Sequence, residues 1–328
     1  MIVDVHAHVI VPEITRDAGD ESWRPDVRWE DGEQVVEHSG RSIRSAVREF
    51  VRVEQILDES RGSGVDGVVL SPWVALLPDG PDLDESLSIC RIQNAALAAM
   101  TLSHPGRVRA LGAVPMHHPE TAAAELRALM AEPGLCGVEV PASVRGDYLG
   151  DDRFLPFWES AADTGAVVFV HPTTRGFELS AFERYYLWNT VANPMETAVT
   201  AAHLVMAGVL ERFPGLRIVL AHGGGALPSV RGRLRRAHGF QPQARERLRE
   251  PPDASMRRLY FDTVAHDPDL LRSLIDWVGP GHVLLGSDRP FDMGTDDPVG
   301  DVRRLALSPH DEADVLGGNA ERLMGAFG

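Results

Sequence analysis

Short apolar segments alternate along the chain with segments long enough to form helices. Eight of the apolar segments predict β-strands, at about residues 2–9, 67–72, 108–114, 136–140, 166–171, 217–222, 259–263 and 282–288. Strands this uniformly apolar are typical of a parallel sheet whose two faces are both covered. Helices are predicted near 47–63, 83–103, from 119, and near 154–164, 195–213, 226–249 and 269–278, with two more at the end.

Eight alternating strand and helix units predict a (β/α)8 TIM barrel, an α/β fold in which the parallel strands close on themselves. An open, doubly wound sheet is the alternative, but no Gly-x-Gly-x-x-Gly turn follows the first strand. Two polar stretches interrupt the alternation, at about 12–45 after the first strand and 172–193 after the fifth. Stretches of this length are usually functional in a compact domain. We therefore expect a single barrel domain over residues 1–328, with two insertions near the site and extra C-terminal helices.

The composition narrows the classes of partner. The chain carries 32 Lys and Arg against 48 Asp and Glu, a net charge of −16. This acidity argues against nucleic acid or an anionic membrane as a partner, and no apolar run is long enough to cross a membrane. No signal peptide is expected, because Met1 leads directly into a core strand. Cys90 and Cys136 lie in apolar surroundings, which suits a reducing cytoplasm better than a disulfide framework.

Histidine and aspartate residues stand at the ends of several predicted strands. His6 and His8 are two residues apart in the first strand, so both imidazoles emerge on the same face. His171, His222 and Asp288 end the fifth, sixth and eighth strands. Each one alone would suit a hydrogen-bonded structural residue or a helix cap. Because the chemistry of this fold lies at the carboxyl ends of the strands, together they predict a ring of ligands at one barrel mouth.

Imidazole and carboxylate ligands suit Zn2+, and also Mn2+ or Fe2+ if oxygen ligands are added. Three histidines and one aspartate would leave room for a water molecule, whose pKa a bound divalent ion lowers. His222 is the natural histidine outside the ligand set, and it would act as a general acid or base. Asp288 is expected both to bind the ion and to pass a proton. The glycines at 223–225 would allow close backbone approach and a helix N-terminus suited to an anionic group.

These strand-end residues resemble the pattern of the metal-dependent amidohydrolase superfamily. No lysine follows the fourth strand, which ends Glu139-Val140-Pro141, and this argues for a mononuclear site. Within the superfamily, the chain is similar to the family of aminocarboxymuconate semialdehyde decarboxylase and related aromatic acid decarboxylases. The motifs that carry this similarity span nearly the whole chain and are Val170-His171-Pro172, Glu211-Arg212-Phe213-Pro214, Ala221-His222-Gly223-Gly224-Gly225-Ala226-Leu227-Pro228, His266-Asp267-Pro268 and Gly286-Ser287-Asp288-Arg289-Pro290-Phe291.

The resemblance implies a metal site and a subunit arrangement. It implies that one divalent ion, Zn2+ with Mn2+ as the alternative, is held by His6, His8, His171 and Asp288, with His222 as the catalytic acid or base. It also implies a homodimer.

The same resemblance implies an arginine clamp for substrate carboxylates. One arginine comes from the first insertion and the other, on the helix after strand six, from the neighbouring subunit; Arg44 and Arg233 are the matching positions. Arginine recognises a carboxylate with two parallel hydrogen bonds. For Arg44 a solvated, arginine-rich loop is the competing interpretation, because Arg41, Arg48 and Arg52 lie nearby.

The activity that the resemblance implies is metal-dependent, non-oxidative decarboxylation of a small unsaturated or aromatic carboxylic acid. The same site would also suit hydrolysis of a lactone, ester or amide, or a hydratase. A barrel that binds without catalysis is a third possibility, against which the ligand set and His222 argue. The chain departs from the family at Thr173-Thr174, where a tryptophan is found, and at Arg289, where a tyrosine is common. Both positions are expected near the mouth, where Trp188 would supply an aromatic wall or simply pack in the core.

Overall fold

A computed structural model describes residues 1–31, 33–38, 41–45, 53–78, 80 and 82–327. Its main sheet has eight parallel strands, numbered here in chain order: β1 Val3–Val9, β2 Gly67–Pro72, β3 Val108–Gly112, β4 Leu135–Pro141, β5 Val167–His171, β6 Arg217–Leu220, β7 Tyr260–Asp262 and β8 Val283–Leu284. They pair in sequential order from β1 to β8. Backbone hydrogen bonds from Val5 to Leu285 (2.9 Å) and from His8 to Arg289 (2.7 Å) join the two ends. The predicted (β/α)8 barrel is confirmed.

An irregularity in β1 decides which way its histidines face. The pairing of β1 with β2 shifts register between Asp4 and Ala7. Val5 packs in the apolar cluster inside the barrel, and the next residue, His6, also faces inward, with its ring 4.8 Å from that of Phe169. A bulge of this kind re-aims a side chain. His6 and His8 therefore lie above Val5 in the barrel.

The helices pack outside the strands. In the described part of the chain they are α1 Val53–Gly62, α2 Leu83–Ser103, α3 Pro119–Leu129, α4 Leu155–Thr164, α5 Asn193–Met206, α6 Val209–Arg212, α7 Leu227–Phe240, α8 Pro252–Met256, α9 Pro268–Val278, α10 Pro298–Arg303, α11 Pro309–Ala313 and α12 Asn319–Met324. Side-chain caps explain several starts, as at α2, where Asp82 accepts from the N–H of Glu85 at 2.8 Å. Their apolar sides join the strands' outward residues in one continuous core.

Two predicted helices end earlier than expected. The helix predicted over 195–213 is divided into α5 and α6 at Gly208, whose φ of 73° is left-handed. The helix predicted over 226–249 stops at Phe240, and a 3-10 turn, Pro242–Arg245, follows. The helix predicted over 47–63 is seen from Val53, and its residues 46–52 lie outside the described residues. A single glycine or a Gln-Pro step breaks a periodic pattern that otherwise favours a longer helix.

The first insertion forms a small antiparallel sheet. Its strands are Asp26–Glu30, Glu33–His38 and Arg41–Ser45. The second insertion consists of short 3-10 turns, Gly176–Glu178 and Ser180–Phe182, followed by a π-helical turn, Trp188–Ala192, that runs into α5. Residues of both insertions line the cavity at the carboxyl ends of the strands. The expectation that they lie near the barrel mouth is confirmed.

The C-terminal residues cover the opposite end of the barrel. Leu323, Met324 and Phe327 join the apolar cluster inside the strands. Phe327 lies against Gly67, the first residue of β2, where a Cβ atom would come within 3.0 Å of the Phe327 ring. Asn319 is the first residue of α12, and its side-chain amide donates to the carbonyls of Pro280 and Val283, at 2.8 and 2.7 Å. The end of the chain is therefore fastened to β8.

Neither a membrane span nor a disulfide is found in the described residues. No helix there combines the length and apolarity that crossing a bilayer needs. Cys90 and Cys136 are buried, separate thiols, and burial raises the pKa of both. Buried thiols of this kind are chemically inert.

Candidate metal centre

Four side chains converge at the carboxyl ends of the barrel strands. His6 and His8 come from β1, His171 ends β5, and Asp288 follows β8. All four are buried, and one potential ligand atom from each lies within 4.8 Å of the others. The structure thus brings together the four residues predicted as metal ligands.

The spacing of these atoms suits one ion. His6 Nε2 and His8 Nε2 are 3.0 Å apart, and they lie 3.2 and 3.4 Å from Asp288 Oδ1. Two ligand atoms that each bind one ion at about 2.1 Å are separated by roughly 3.0–3.5 Å. His171 Nε2 is buried and has no hydrogen-bond partner in the described part of the chain. The residues present therefore fit a divalent ion.

The far side of each imidazole is held by other groups. His6 Nδ1 donates to Asp262 Oδ2 at 2.6 Å, and His171 Nδ1 donates to the carbonyl of Pro172 at 3.0 Å. His8 Nδ1 lies 3.1 Å from Ser71 Oγ and 3.3 Å from the carbonyl of Pro72. A proton on Nδ1 leaves the lone pair of Nε2 directed at the centre, which is the tautomer that a metal ligand needs.

The electrostatics of the cluster favour positive charge at its centre. Burial lowers the pKa of His6, but the carboxylates of Asp288 and Asp262 outweigh burial and raise this pKa to about 10. Burial likewise lowers the pKa of His8, and Glu139 and Asp288 raise it to about 9. The carboxylates around these two imidazoles therefore favour positive charge between them.

The other two ligands are poised in their binding forms. Burial, together with the neighbouring His8, His222 and His6, holds the pKa of His171 well below its usual range. Burial raises the pKa of Asp288, but the charge of His6 and hydrogen bonds from the surrounding histidines hold it well below its usual range. A neutral imidazole and an ionised carboxylate are the states that coordinate a metal.

His222 lies beside the four ligands. Its Nε2 is 3.3 Å from Asp288 Oδ2, and its ring centroid is 5.1 Å from that of His171. Its backbone, at a φ of 57°, is fixed by Asp262, which accepts from the N–H groups of His222 (2.9 Å) and Gly223 (2.8 Å). The glycine turn was expected to suit an anionic group, and in the structure that group is Asp262 itself.

The site opens into a cavity of about 1220 Å3. His171, His222 and Asp288 lie at its inner end. Its walls are rich in aromatic side chains, which are Trp73, Tyr148, Phe177, Phe182, Tyr186, Trp188 and Phe291. Trp188 is therefore a wall residue, with its ring 4.9 Å from that of Tyr186. Polar groups at one end and aromatic walls are typical of a pocket for a small organic ligand.

The two predicted clamp arginines lie in different places. Arg44, on the strand Arg41–Ser45, lines the cavity, and its guanidinium pairs with Glu30 (2.8 Å) and Glu33 (3.6 Å). Arg233 lies on the exposed side of α7 and is not among the described residues that line the cavity. Within one chain, the structure does not bring the two arginines together at this site.

The two departures from the family pattern also lie apart. Thr173 lines the cavity, where its N–H and hydroxyl donate to Glu196 at 2.7 and 2.8 Å. Arg289 was expected near the mouth, but it is buried and lines a separate hollow of about 410 Å3 with Glu59 and Asp296. Asp288 has a left-handed φ of 60°, and Arg289 bridges to Ala7 of β1, so the backbone turns between the two side chains and they enter different spaces.

Sequence reasoning missed two buried carboxylates beside the ligands. Asp262 ends β7 and holds both His6 and the backbone of His222. Glu139 in β4 lies 3.4 Å from His8 Nδ1. Asp262 ends its strand as Asp288 does, so the same pattern could have found it. Glu139 entered the sequence analysis only because the fourth strand lacks the lysine of a binuclear site. Their roles depend on which strands are neighbours in the barrel.

The fold and site define a metal-binding (β/α)8 barrel with a histidine and aspartate centre. The family described as Amidohydrolase matches residues 3–326. The chain belongs to this amidohydrolase family, which confirms the resemblance.

Named relatives and a solved structure agree with that assignment. The chain is 30% identical over 278 residues to 2-amino-3-carboxymuconate-6-semialdehyde decarboxylase of Dictyostelium discoideum, covering 82% of this chain and 75% of the relative. It is 28% identical over 256 residues to gamma-resorcylate decarboxylase of Rhodococcus jostii, covering 73% and 76%. The crystal structure of a dihydroxybenzoic acid decarboxylase from Polaromonas, with bound manganese, has the same fold, with a TM-score of 0.80 and 22% identity over 98% of this chain and 96% of that one.

Proposed function

We propose that this protein is a metal-dependent, non-oxidative decarboxylase of a small unsaturated or aromatic carboxylic acid. The observation that carries the proposal is the cluster of His6, His8, His171 and Asp288, with His222 beside it, at the inner end of an aromatic-walled cavity. Such a site suits several reactions on an oxygen-bearing substrate. The relatives narrow the choice, because the two reported above are named as decarboxylases.

The four ligands would hold a divalent ion, and a bound ion would polarise an oxygen of the substrate. The chain itself has to move a proton. In the reaction the bond between the substrate carbon and its carboxylate breaks, CO2 leaves, and that carbon takes a proton. His222 and Asp288, whose Nε2 and Oδ2 are 3.3 Å apart, are the pair that would hold and deliver this proton.

The cavity walls support an aromatic or conjugated substrate. Trp73, Trp188 and Phe291 are among the aromatic residues that line the cavity, and aromatic side chains pack favourably against a planar ring. Arg44 would bind a substrate carboxylate, which has to compete with Glu30 and Glu33 for the guanidinium. At a half-exposed arginine, exchanging one carboxylate partner for another costs little free energy, because such ion pairs are weak.

We infer that the ion is Zn2+, because three imidazoles and one carboxylate are a ligand set that zinc favours. Mn2+ is the alternative, supported by the manganese in the Polaromonas structure. Elemental analysis of the purified protein, followed by removal of the metal and repletion with each ion, tests this choice. We also infer a reducing cytoplasm as the compartment, which the two buried thiols support.

An assay of CO2 release tests the reaction. The purified protein should release CO2 from at least one acid of the types that the relatives' names give, gamma-resorcylate or 2-amino-3-carboxymuconate-6-semialdehyde. Activity should disappear on chelation and return with Zn2+ or Mn2+. A metal-loaded protein that cleaves lactones or esters but never releases CO2 would make it a hydrolase and end the proposal.

We further propose a homodimer in which Arg233 of one subunit reaches the site of its partner. The exposed position of Arg233 on α7 supports this arrangement. Arg44→Ala and Arg233→Ala variants should each lose activity. After unfolding and refolding together, they should recover about a quarter of wild-type activity, because half of the dimers then carry one intact site. No recovery, with dimers present by light scattering, would show that the sites are not shared.

A further inference from the structure

A buried carboxylate lies behind His8, on the side away from the convergent ligand atoms. Glu139 is in β4 between Val138 and Val140, which pack in the outer core, so its own side chain faces the inside of the barrel. Its Oε2 is 3.4 Å from His8 Nδ1, and both side chains are fully buried. The atom of His8 that faces the other ligands is Nε2. Glu139 therefore touches a ligand without joining the ligand cluster.

The carboxylate of Glu139 has few hydrogen-bond donors around it. Within the described residues, neither of its oxygens accepts a hydrogen bond, and the ion pair with His8 is its charged contact. Asp262, the corresponding carboxylate behind His6, accepts from His6 Nδ1 and from the N–H groups of His222, Gly223 and Val264. A buried carboxylate without such donors is costly unless positive charge lies nearby.

Glu139 shares its position behind the His8 ring with two uncharged groups. Ser71 Oγ and the carbonyl of Pro72 already lie 3.1 and 3.3 Å from His8 Nδ1. What Glu139 adds is a negative charge on the far side of the imidazole. Such a charge makes the opposite nitrogen more basic and a better donor to a metal ion.

We propose that Glu139 is a positioning residue of the metal centre, which acts through His8 to strengthen the binding of the divalent ion. The inference rests on the metal centre of the proposed function and not on the reaction that it catalyses. This role would explain why a buried carboxylate, Glu139, lies on β4. The side chain supports one ion from behind a ligand.

Metal titration of the Glu139→Gln variant tests the proposal, because glutamine keeps the shape and removes the charge. The metal-free protein is titrated with Zn2+ and with Mn2+ against a competing chelator, and circular dichroism checks the fold. E139Q should bind both ions about 10- to 100-fold more weakly than the wild type. Glu125→Gln, which removes an equal charge from the outer face of α3 where Glu125 pairs with Arg91 at 2.6 Å, should change the affinity less than about threefold.

Glu139→Asp is the second variant, since it keeps the charge on a shorter side chain. It should recover most of the affinity that E139Q loses. Equal affinity of the wild type and E139Q would overturn the role of Glu139, as would a loss in E139D as large as in E139Q. A metal-free E139Q chain that does not fold would also overturn it, because a carboxylate that serves only His8 is not required by the metal-free core. Failure of the wild type to bind either ion would instead overturn the metal centre itself.

Discussion

At the scale of single residues, the two nitrogens of His222 have different surroundings. Nε2 lies 3.3 Å from Asp288 Oδ2, whereas Nδ1 is buried without a hydrogen-bond partner among the described residues. The side chain is 17% exposed, unlike the fully buried imidazoles of His6 and His8. An imidazole that reaches the cavity and touches the ligand carboxylate is suited to carry a proton rather than to bind the ion.

Replacing His222 by asparagine should separate these two roles. We expect His222→Asn to lower kcat by about 10²- to 10⁴-fold and to leave the metal content unchanged. CO2 release and elemental analysis on the same preparation measure both effects. His310→Asn, at a histidine that is 84% exposed, is the control and should keep full activity. Loss of metal from the His222 variant would instead make this residue a ligand.

Asp262 connects His6 to the backbone of His222. Asp262→Asn keeps the shape of the side chain. Its amide NH2 group, however, cannot accept a hydrogen bond, whereas both carboxylate oxygens accept from the four N–H groups around them. It should lower the free energy of unfolding by about 1–3 kcal/mol and weaken metal binding by about 10- to 100-fold. Urea unfolding and chelator competition test these values. Asp253→Asn, in a partly exposed pair with Arg235, should cost less than about 1 kcal/mol.

At the scale of elements, the turn after β6 packs closely against α5. Gly225 has a φ of 58°, and a Cβ atom there would lie 2.2 Å from the carbonyl oxygen of Pro194. The N–H of Ala226 donates to that same carbonyl at 3.0 Å. The turn that carries His222 is therefore held between Asp262 and the start of α5, and only glycine fits at its end.

A methyl group at this position should disturb the turn. We expect Gly225→Ala to lower the free energy of unfolding by about 1–3 kcal/mol and to reduce activity, since His222 lies three residues earlier. Gly215→Ala, where a Cβ atom meets no atom within 4 Å, should change stability by less than about 1 kcal/mol. Equal behaviour of the two variants in urea unfolding would contradict this account of the turn.

At the scale of the whole molecule, the two ends of the barrel have separate tasks. The carboxyl ends of the strands carry the metal centre and the cavity. The amino ends are closed by Leu323, Met324 and Phe327, which complete the inner apolar cluster. Arg217 and Arg109 fasten this segment by donating to the carbonyls of Leu323 and Ala326. Stability can therefore be changed at one end without changing the chemistry at the other.

Phe327→Ala tests this separation. Removing the buried ring should lower the free energy of unfolding by about 3 kcal/mol, while the affinity for Zn2+ or Mn2+ stays within about threefold of the wild type. Leu102→Ala, at a leucine that is 67% exposed, should change stability by less than about 0.5 kcal/mol. A parallel loss of metal affinity in the Phe327 variant would show that the two ends are coupled.

The sequence alone predicted features that depend on local pattern. The barrel strands are mostly apolar on both faces, so strands and fold followed from composition and alternation. The bounds of α2 match the prediction over 83–103. His6 and His8 share one direction because they are two residues apart, and the strand ends located His171, His222 and Asp288. The helix over 195–213 was predicted too long, because periodicity does not show that Gly208 turns left-handed.

Only the tertiary structure decided which groups stand behind those residues. Asp262 is 256 residues from His6 in the chain, and Glu139 meets His8 from β4 across the barrel interior. Such contacts follow from the closure of the sheet, from the bulge in β1 and from the direction of each side chain. The same geometry turned Arg289 away from the cavity and paired Arg44 with acidic neighbours. The spacing of residues along the sequence was enough to predict which side chains form the ligand set. The charged groups around those ligands come from distant strands, and only the closed barrel brings them together.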